Sequence, residues 1–481
     1  MRASIVAKGV VTTMDTKETK HAFSRRRFLA GGAATGGFLL LAACGGTTSG
    51  EGSADGEMAE GEAPKEEAKQ PEMEPVSLVF RDWREPGRTA TTWEVWFNWA
   101  DETFREANPQ VEAIEYTFVP FGAEYIQKLT TESAARVTAD VAHSSIIWGR
   151  DLWDNGILMD LSAHAAATPD VGPDAFMPSA NPYRIADGKV FGLSFWGPDS
   201  YVMVINQDHY VDAGLDPQGA DQLTWEGLAE TVEKLSRKDS SGNYSRIGFT
   251  YHIPGMPEFA AWLYANGGEM HSAELTEAIF DTAQALEVAE HRQIQHVRYK
   301  DRVEGFPEGS LDTLRGGQGS GISWGTWAAY YVRDEFPEDF NFWMVPMPQG
   351  PSTDGTTSGA TWINMMVVPD GTANPDLAYE FCRFTCGLEA QVQKLLMVNQ
   401  VSPRLDFYNT PEWSQAVEDL PQLGVVPDVG ARGKAYPFFR RYTAANAHWQ
   451  IVRDALSGES ELDLRGALAE TVKLITQELE S

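Results

Sequence analysis

Residues 45–75 contain no Val, Ile, Leu or aromatic side chain. They hold nine acids (Glu51, Asp55, Glu57, Glu60, Glu62, Glu66, Glu67, Glu72 and Glu74) against Lys65 and Lys69. Such a segment has no apolar surface to offset the entropy of ordering its backbone, and its like charges keep it extended. Folding must therefore be built from residue 76 onward. About 400 residues remain, a length that fits two domains. Val76–Phe80 is a short apolar run that reads as a first strand. Trp93, Trp96, Phe97, Ala100 and Phe104 then recur at helical spacing, and Asn108-Pro109 stops them. Val111–Val119 reads as a second strand, Tyr125–Ala135 as a second helix, and Ala139–Ala142 opens a third strand. This order predicts the α/β class with a mainly parallel sheet, in which ligands bind beyond the carboxyl ends of the strands.

The residues before the acidic segment read as an export leader. Ser24-Arg25-Arg26-Arg27-Phe28-Leu29 resembles a twin-arginine export signal, with Arg25 and Arg26 as its pair. Residues 28–43 carry no charge, and the run is shorter than the ~20 residues a membrane-spanning helix needs. It ends in Leu41-Ala42-Ala43-Cys44-Gly45, which looks like a lipobox. In lipoproteins the Cys of that motif is lipidated and becomes the first residue. The expectation is a signal peptide over 1–43, lipidation at Cys44, and a disordered acidic tether over 44–75. The product would sit on the outer face of the cytoplasmic membrane, in a periplasm or at the cell surface. An ordinary signal peptide with a chance Cys is the alternative. Met1 and Met14 both fit as the start.

Charge and cysteine content narrow the function classes. The net charge is −31. The leader holds seven Lys/Arg against two Asp/Glu, so the rest of the chain is five charges more negative, near −36. That field repels phosphate backbones and argues against a nucleic-acid partner. Cys382 and Cys386 lie four apart in a segment that reads as helix and so share one face. A disulfide between them would strain the helix; two buried apolar residues is the plainer reading. No CxxC pair, HExxH, P-loop or Rossmann fingerprint occurs, so no metal, no cofactor and no catalytic residue are expected.

Six further motifs follow in order: DGKVFGLSFWGP from Asp187, INQDHYVDAGLD from Ile205, TWEGL from Thr224, WLYANGG from Trp262, GTW at Gly325–Trp327, and PDLAYEFCRF from Pro375. Each is weak alone. Together they resemble family 1 of the extracellular solute-binding proteins, the sugar-binding lipoproteins of ABC importers akin to maltose-binding protein. The likeness runs from about residue 76 to 475. Ser194-Phe195 stands where the family often has Pro, and Gln207 where it often has Lys, so no particular sugar follows by analogy.

The resemblance implies a two-lobed clamshell of the type II periplasmic-binding-protein kind, with discontinuous lobes and a ligand cleft between them. Lobe one would comprise 76–195 plus 348–404 and lobe two 196–347 plus 405–481. The crossings would lie near Phe195–Asp199, Met347–Gly350 and Arg404–Phe407. The implied role is capture of a sugar or oligosaccharide by a monomer that is not an enzyme, with delivery to a membrane permease driven by a separate ATPase. A polyamine or glycerol phosphate is the alternative ligand. A surface adhesion lipoprotein and a glycan-acting enzyme are the rival classes.

Trp numbers 15 in this chain. Flat aromatic faces suit pyranose rings, whose C–H edges pack on the π face. Trp148, Trp196, Trp324, Trp327 and Trp362 lie in or beside predicted loops, and the GxW turn lines the cleft in relatives. Asp82, Trp83 and Arg84 follow the first strand, and Ser144 follows the third. Arg404 lies at the last predicted crossing. These ten residues are the candidate ligand contacts.

Overall fold

The computed structural model describes residues 74–83, 90–250, 254–299, 311–436, 439 and 441–480. The leader with Arg25 and Arg26, the lipobox Cys44, the acidic tether and Arg84 lie outside the described residues.

Among the described residues the strands are β1 (Val76–Asp82), β2 (Val111–Phe118), β3 (Val141–Ser144), the pair β4 (Ile185–Ala186) and β5 (Lys189–Val190), and the long β6 (Leu193–Asn206). The small pair β7 (Arg237–Lys238) and β8 (Tyr244–Arg246) follows, then β9 (Gly321–Gly325), β10 (Phe342–Pro346), β11 (Ala360–Val367) and β12 (Lys434–Ala435). The predicted β-α-β-α-β opening is present. Helices Ala90–Ala107 and Ala123–Ala135 connect β1, β2 and β3, and β1 pairs in parallel with both other strands.

The main sheet runs β10-β6-β11-β3-β1-β2, with β9 and β12 joined at the side. β6 changes partners along its length. Its first half, Leu193–Ser200, pairs antiparallel with β11. Its second half, from Tyr201 on, is flanked by β9 and β10. The pairing with β11 slips register between Trp362 and Met365. Gly197-Pro198 lies in the same stretch, and Pro has no N–H for a ladder. Gly197 has φ 118°, and a Cβ there would lie 2.6 Å from the carbonyl oxygen of Trp362, so only glycine lets the two strands approach.

Three apolar clusters follow from this sheet. The first packs Phe80, Trp96, Phe104, Tyr125 and Phe381 around β1–β3. The second joins Met203 and Ile205 to Trp262 and Trp449; the third joins Val202 and Val204 to Ile322 and Phe407. Successive β6 side chains thus enter opposite cores, as the two-residue period of a strand covered on both faces requires. Local signals hold as well. Thr224 caps the helix Trp225–Leu235, its hydroxyl accepting from Gly227 N–H at 3.1 Å. Asp187 (φ 52°) and Gly188 (φ 76°) form the two-residue turn between β4 and β5.

Cys382 and Cys386 are free, buried thiols on the helix Pro375–Cys386. Burial pushes Cys382 upward and Cys386 up to about 12. Thiolate is the reactive form, so both should be inert. A thiol reagent at pH 8 is expected to label neither in the native protein and both after denaturation. Labelling of native protein at the rate of free cysteine would contradict the packing.

Candidate functional site

The carboxyl ends of β1 and β3 place Asp82 beside His143. Asp82 is fully buried and bonds His143 Nδ1 at 3.1 Å. Trp83, the next residue, stacks on the His143 ring with centroids 3.8 Å apart and planes at 24°. The helix Ile146–Asp154 begins at Ser145, whose hydroxyl accepts from Ile147 N–H, and it carries Trp148 against the edge of Trp83 at 5.5 Å. Tyr125 holds this corner, its hydroxyl donating to His143 O at 2.7 Å while its ring stacks on Trp148. Phe121, 48% exposed, covers both indoles, at 5.6 Å from Trp83 and 4.6 Å from Trp148.

β6 extends the array. Trp196 lies nearly parallel to the His143 ring at 6.3 Å and reaches Trp93 at 5.6 Å. Its indole N–H donates to Asp199 at 2.9 Å. Asp199 is opposite Trp362 in the β6–β11 register. Trp362 donates to Asn364 Oδ1 at 2.6 Å and meets Tyr436 edge-on at 4.9 Å. Tyr436 and Tyr442 approach through their hydroxyls, 3.4 Å apart. Desolvation pushes Asp199 up to about 7, against the opposing pull of the Trp196 N–H and the Lys394 ammonium. Burial also raises Tyr201, Tyr436 and Tyr442, so these phenols stay neutral and can both donate and accept.

The Gly325-Thr326-Trp327 turn is fastened to the middle of β6. Thr326 N–H donates to Ser200 O at 2.9 Å, and its hydroxyl accepts from Ser200 N–H and donates to Pro198 O. Trp327 follows, 38% exposed, with its ring edge-on to Tyr201 at 6.4 Å. The ring lies directly over Gly325, where a Cβ would fall 1.7–2.0 Å from its atoms.

Of the predicted contacts, Asp82, Trp83, Trp148 and Trp196 meet around His143, while Trp362 and Trp327 attach to the same stretch of β6. The others lie apart. Ser144 is fully buried, with its hydroxyl directed at Ser145 O. Trp324 packs against the third apolar cluster. Arg404 is buried and spends its guanidinium on Asp406, Asp170 O and Cys386 O. Asp199, Tyr201, Phe121, Tyr436 and Tyr442 were not singled out by sequence. Only Asp199 had a local signal, as the last residue of the predicted crossing Phe195–Asp199. A cavity of about 540 Å³ lined by Thr130, Ser133, Arg136, Asp151 and Asn155 shares no residue with the aromatic array.

An array of edge and face aromatics, with one half-buried carboxyl and neutral phenols between them, has no nucleophile–base pair framed by a motif. It offers flat faces and hydrogen-bonding groups. Residues 99–422 match the model of the bacterial extracellular solute-binding proteins. The chain belongs to that family. No curated protein matches its sequence. Solved structures of two-lobed members share its fold. The sugar-binding protein MalE from Xanthomonas citri superposes with a TM-score of 0.69 at 16% identity, covering 84% of this chain and 98% of that one. The cyclic alpha-maltosyl-1,6-maltose binding protein from Arthrobacter globiformis gives 0.68 at 19% identity, covering 84% and 99%. An ABC substrate-binding protein from Listeria monocytogenes in complex with cycloalternan gives 0.67 at 18% identity, covering 85% and 100%. Family membership makes this an exported protein, and no helix among the described residues is long and apolar enough to cross a membrane.

The contact between Trp327 and Gly325 supplies a test. Gly325→Ala is expected to push the indole off the turn and shift the tryptophan emission spectrum. An unchanged spectrum with an unchanged melting temperature would mean that the ring does not rest there.

Proposed function

We propose that this protein captures a sugar or oligosaccharide outside the cell and delivers it to an ABC permease powered by a separate ATPase. One observation carries the reading: Trp83, Trp196, Trp362 and Trp327 gather along the part of β6 where the strand changes partners. Pyranose rings stack on such faces, and their hydroxyls suit Asp199, Asn364 and the neutral phenols. The carbohydrate ligands named for the structural relatives support the same class, whereas the acidic chain disfavours a phosphorylated one. Trp83 and Trp362 would belong to lobe one, Trp196 and Trp327 to lobe two, and the β6 crossing would act as a hinge. The monomer would leave the cell by the twin-arginine route. It would be held by lipid on Cys44, with 44–75 as the tether; more than one acyl chain gives stable attachment.

Trp327→Ala is expected to weaken binding more than tenfold, about 1.4 kcal/mol, with the melting transition preserved. Tryptophan fluorescence titrated with a panel of oligosaccharides, polyamines and glycerol phosphates measures it. Saturation by a polyamine alone would keep the transport role and discard the sugar.

Asp199 adds a pH signature. Its folded-state value near 7 exceeds the unfolded value of 3.8. The folded chain therefore keeps this proton up to about pH 7, and the stability it contributes is present in acid and lost as pH rises from about 4 to 7. Sugar hydroxyls donate best to the ionised form, so affinity should fall as pH drops below about 7. Asp199→Asn is expected to raise the melting temperature at pH 8, weaken sugar binding and flatten its pH profile. A variant that binds as tightly as the wild type would remove Asp199 from the site.

A further inference from the structure

Among the described residues only four Phe, Tyr and Trp side chains are exposed: Phe118, Phe121, Trp327 and Tyr331. Aromatic rings offer a large apolar gain on burial, and the remaining described ones are buried or half-buried. All four exposed rings adjoin the aromatic array. Phe118 ends β2 opposite Asp82 in the β1–β2 register. Phe121 follows in the next loop and covers Trp83 and Trp148. Trp327 leaves the Gly325 turn edge-on to Tyr201, and Tyr331 follows it on the helix Ala328–Glu335.

Tyr331 stands one helical turn beyond Trp327. Its N–H donates to Trp327 O at 3.5 Å, which holds the helical spacing. Four residues rise about 6 Å and come back to nearly the same direction, so both rings leave one face of the helix. The Tyr331 ring is fixed in place by its neighbours. Its hydroxyl accepts from Arg315 Nη2 at 3.0 Å, and its ring meets Phe336 edge-on at 6.2 Å. Arg315 is held in turn, 4.9 Å from the Phe336 centroid and ion-paired with Asp312 at 3.4 Å. A ring that is already ordered loses little entropy when a ligand stacks on it.

A single pyranose has two faces and covers two platforms at most. The array holds Trp83, Trp196 and Trp327, and it continues past Trp83 to Phe121 and past Trp327 to Tyr331. Resting on the sugar-capture reading above, we propose that the ligand is an oligosaccharide longer than a disaccharide. Phe121 and Tyr331 select its length by stacking on the units that extend past Trp83 and Trp327. Phe121 and Tyr331 are thus specificity-determining residues, one on the loop after β2 and one on the helix after the Gly325 turn.

Calorimetry decides it, using mono- to pentasaccharides of the sugar that saturates the tryptophan fluorescence. Wild-type affinity should keep rising beyond the disaccharide. Tyr331→Ala should cut the gain from di- to pentasaccharide about fivefold, with the melting temperature preserved. Tyr331→Phe loses the Arg315 hydrogen bond but keeps the ring, and should retain most of the gain. Phe121→Ala tests the other side by the same ratio, should Tyr331→Ala fail to fold. A wild-type affinity that levels off at the disaccharide, or a full gain in either alanine variant, would overturn the inference and leave the sugar reading intact. If no sugar saturates the fluorescence, that reading fails and the inference falls with it.

Discussion

The architecture depends on how β6 changes partners without leaving buried backbone groups unpaired. A strand shared by two sheet regions must break one ladder before it joins the next, and buried N–H and C=O groups rarely go unsatisfied. The break falls at Gly197–Ser200, where Pro198 has no N–H to lose. Thr326 satisfies what remains by accepting from Ser200 N–H and donating to Pro198 O. The same turn carries Trp327. The residue that repairs the strand thus precedes the one that presents the most exposed indole of the array.

The polar groups of this array are bound to its aromatic walls. Those walls desolvate Asp199, and the cost appears as a carboxyl raised to about 7. Trp196 returns part of it with one hydrogen bond. Under the proposed function a ligand hydroxyl would supply more, so the unliganded site would carry a destabilised group that binding would relieve, a familiar trade between stability and function. Arg184 is a second buried charge, and among the described residues no carboxylate pairs with it.

Much of the first sheet was legible because its signals are local. Trp93 to Phe104 repeat at helical spacing, Thr224 is a helix cap, and Asp187-Gly188 is a two-residue hairpin turn. Each depends on neighbours within a few positions. The aromatic array was legible only in part. Trp83, Trp196, Trp327 and Trp362 could be chosen as tryptophans near loops. Tyr436 and Phe121 carry no such mark, and Trp324 carries the same mark yet packs into a core. Arg404 read as a hinge or ligand residue, but its guanidinium is used by Asp406 and two backbone carbonyls. An arginine's partners here come from residues up to 234 positions away, which no window of sequence contains.

The sequence by itself determined the α/β class, the family through six ordered motifs, the acidity that repels phosphate backbones, and the composition break at residue 76. These rest on periodicity, short-range turn chemistry and total charge, all properties of the unfolded chain. Tertiary structure alone decided which aromatics share a wall, which carboxyl is desolvated, and which arginine is spent on Asp406 and backbone carbonyls. Those depend on burial and on distances between residues far apart in the chain, and burial exists only after the chain has packed.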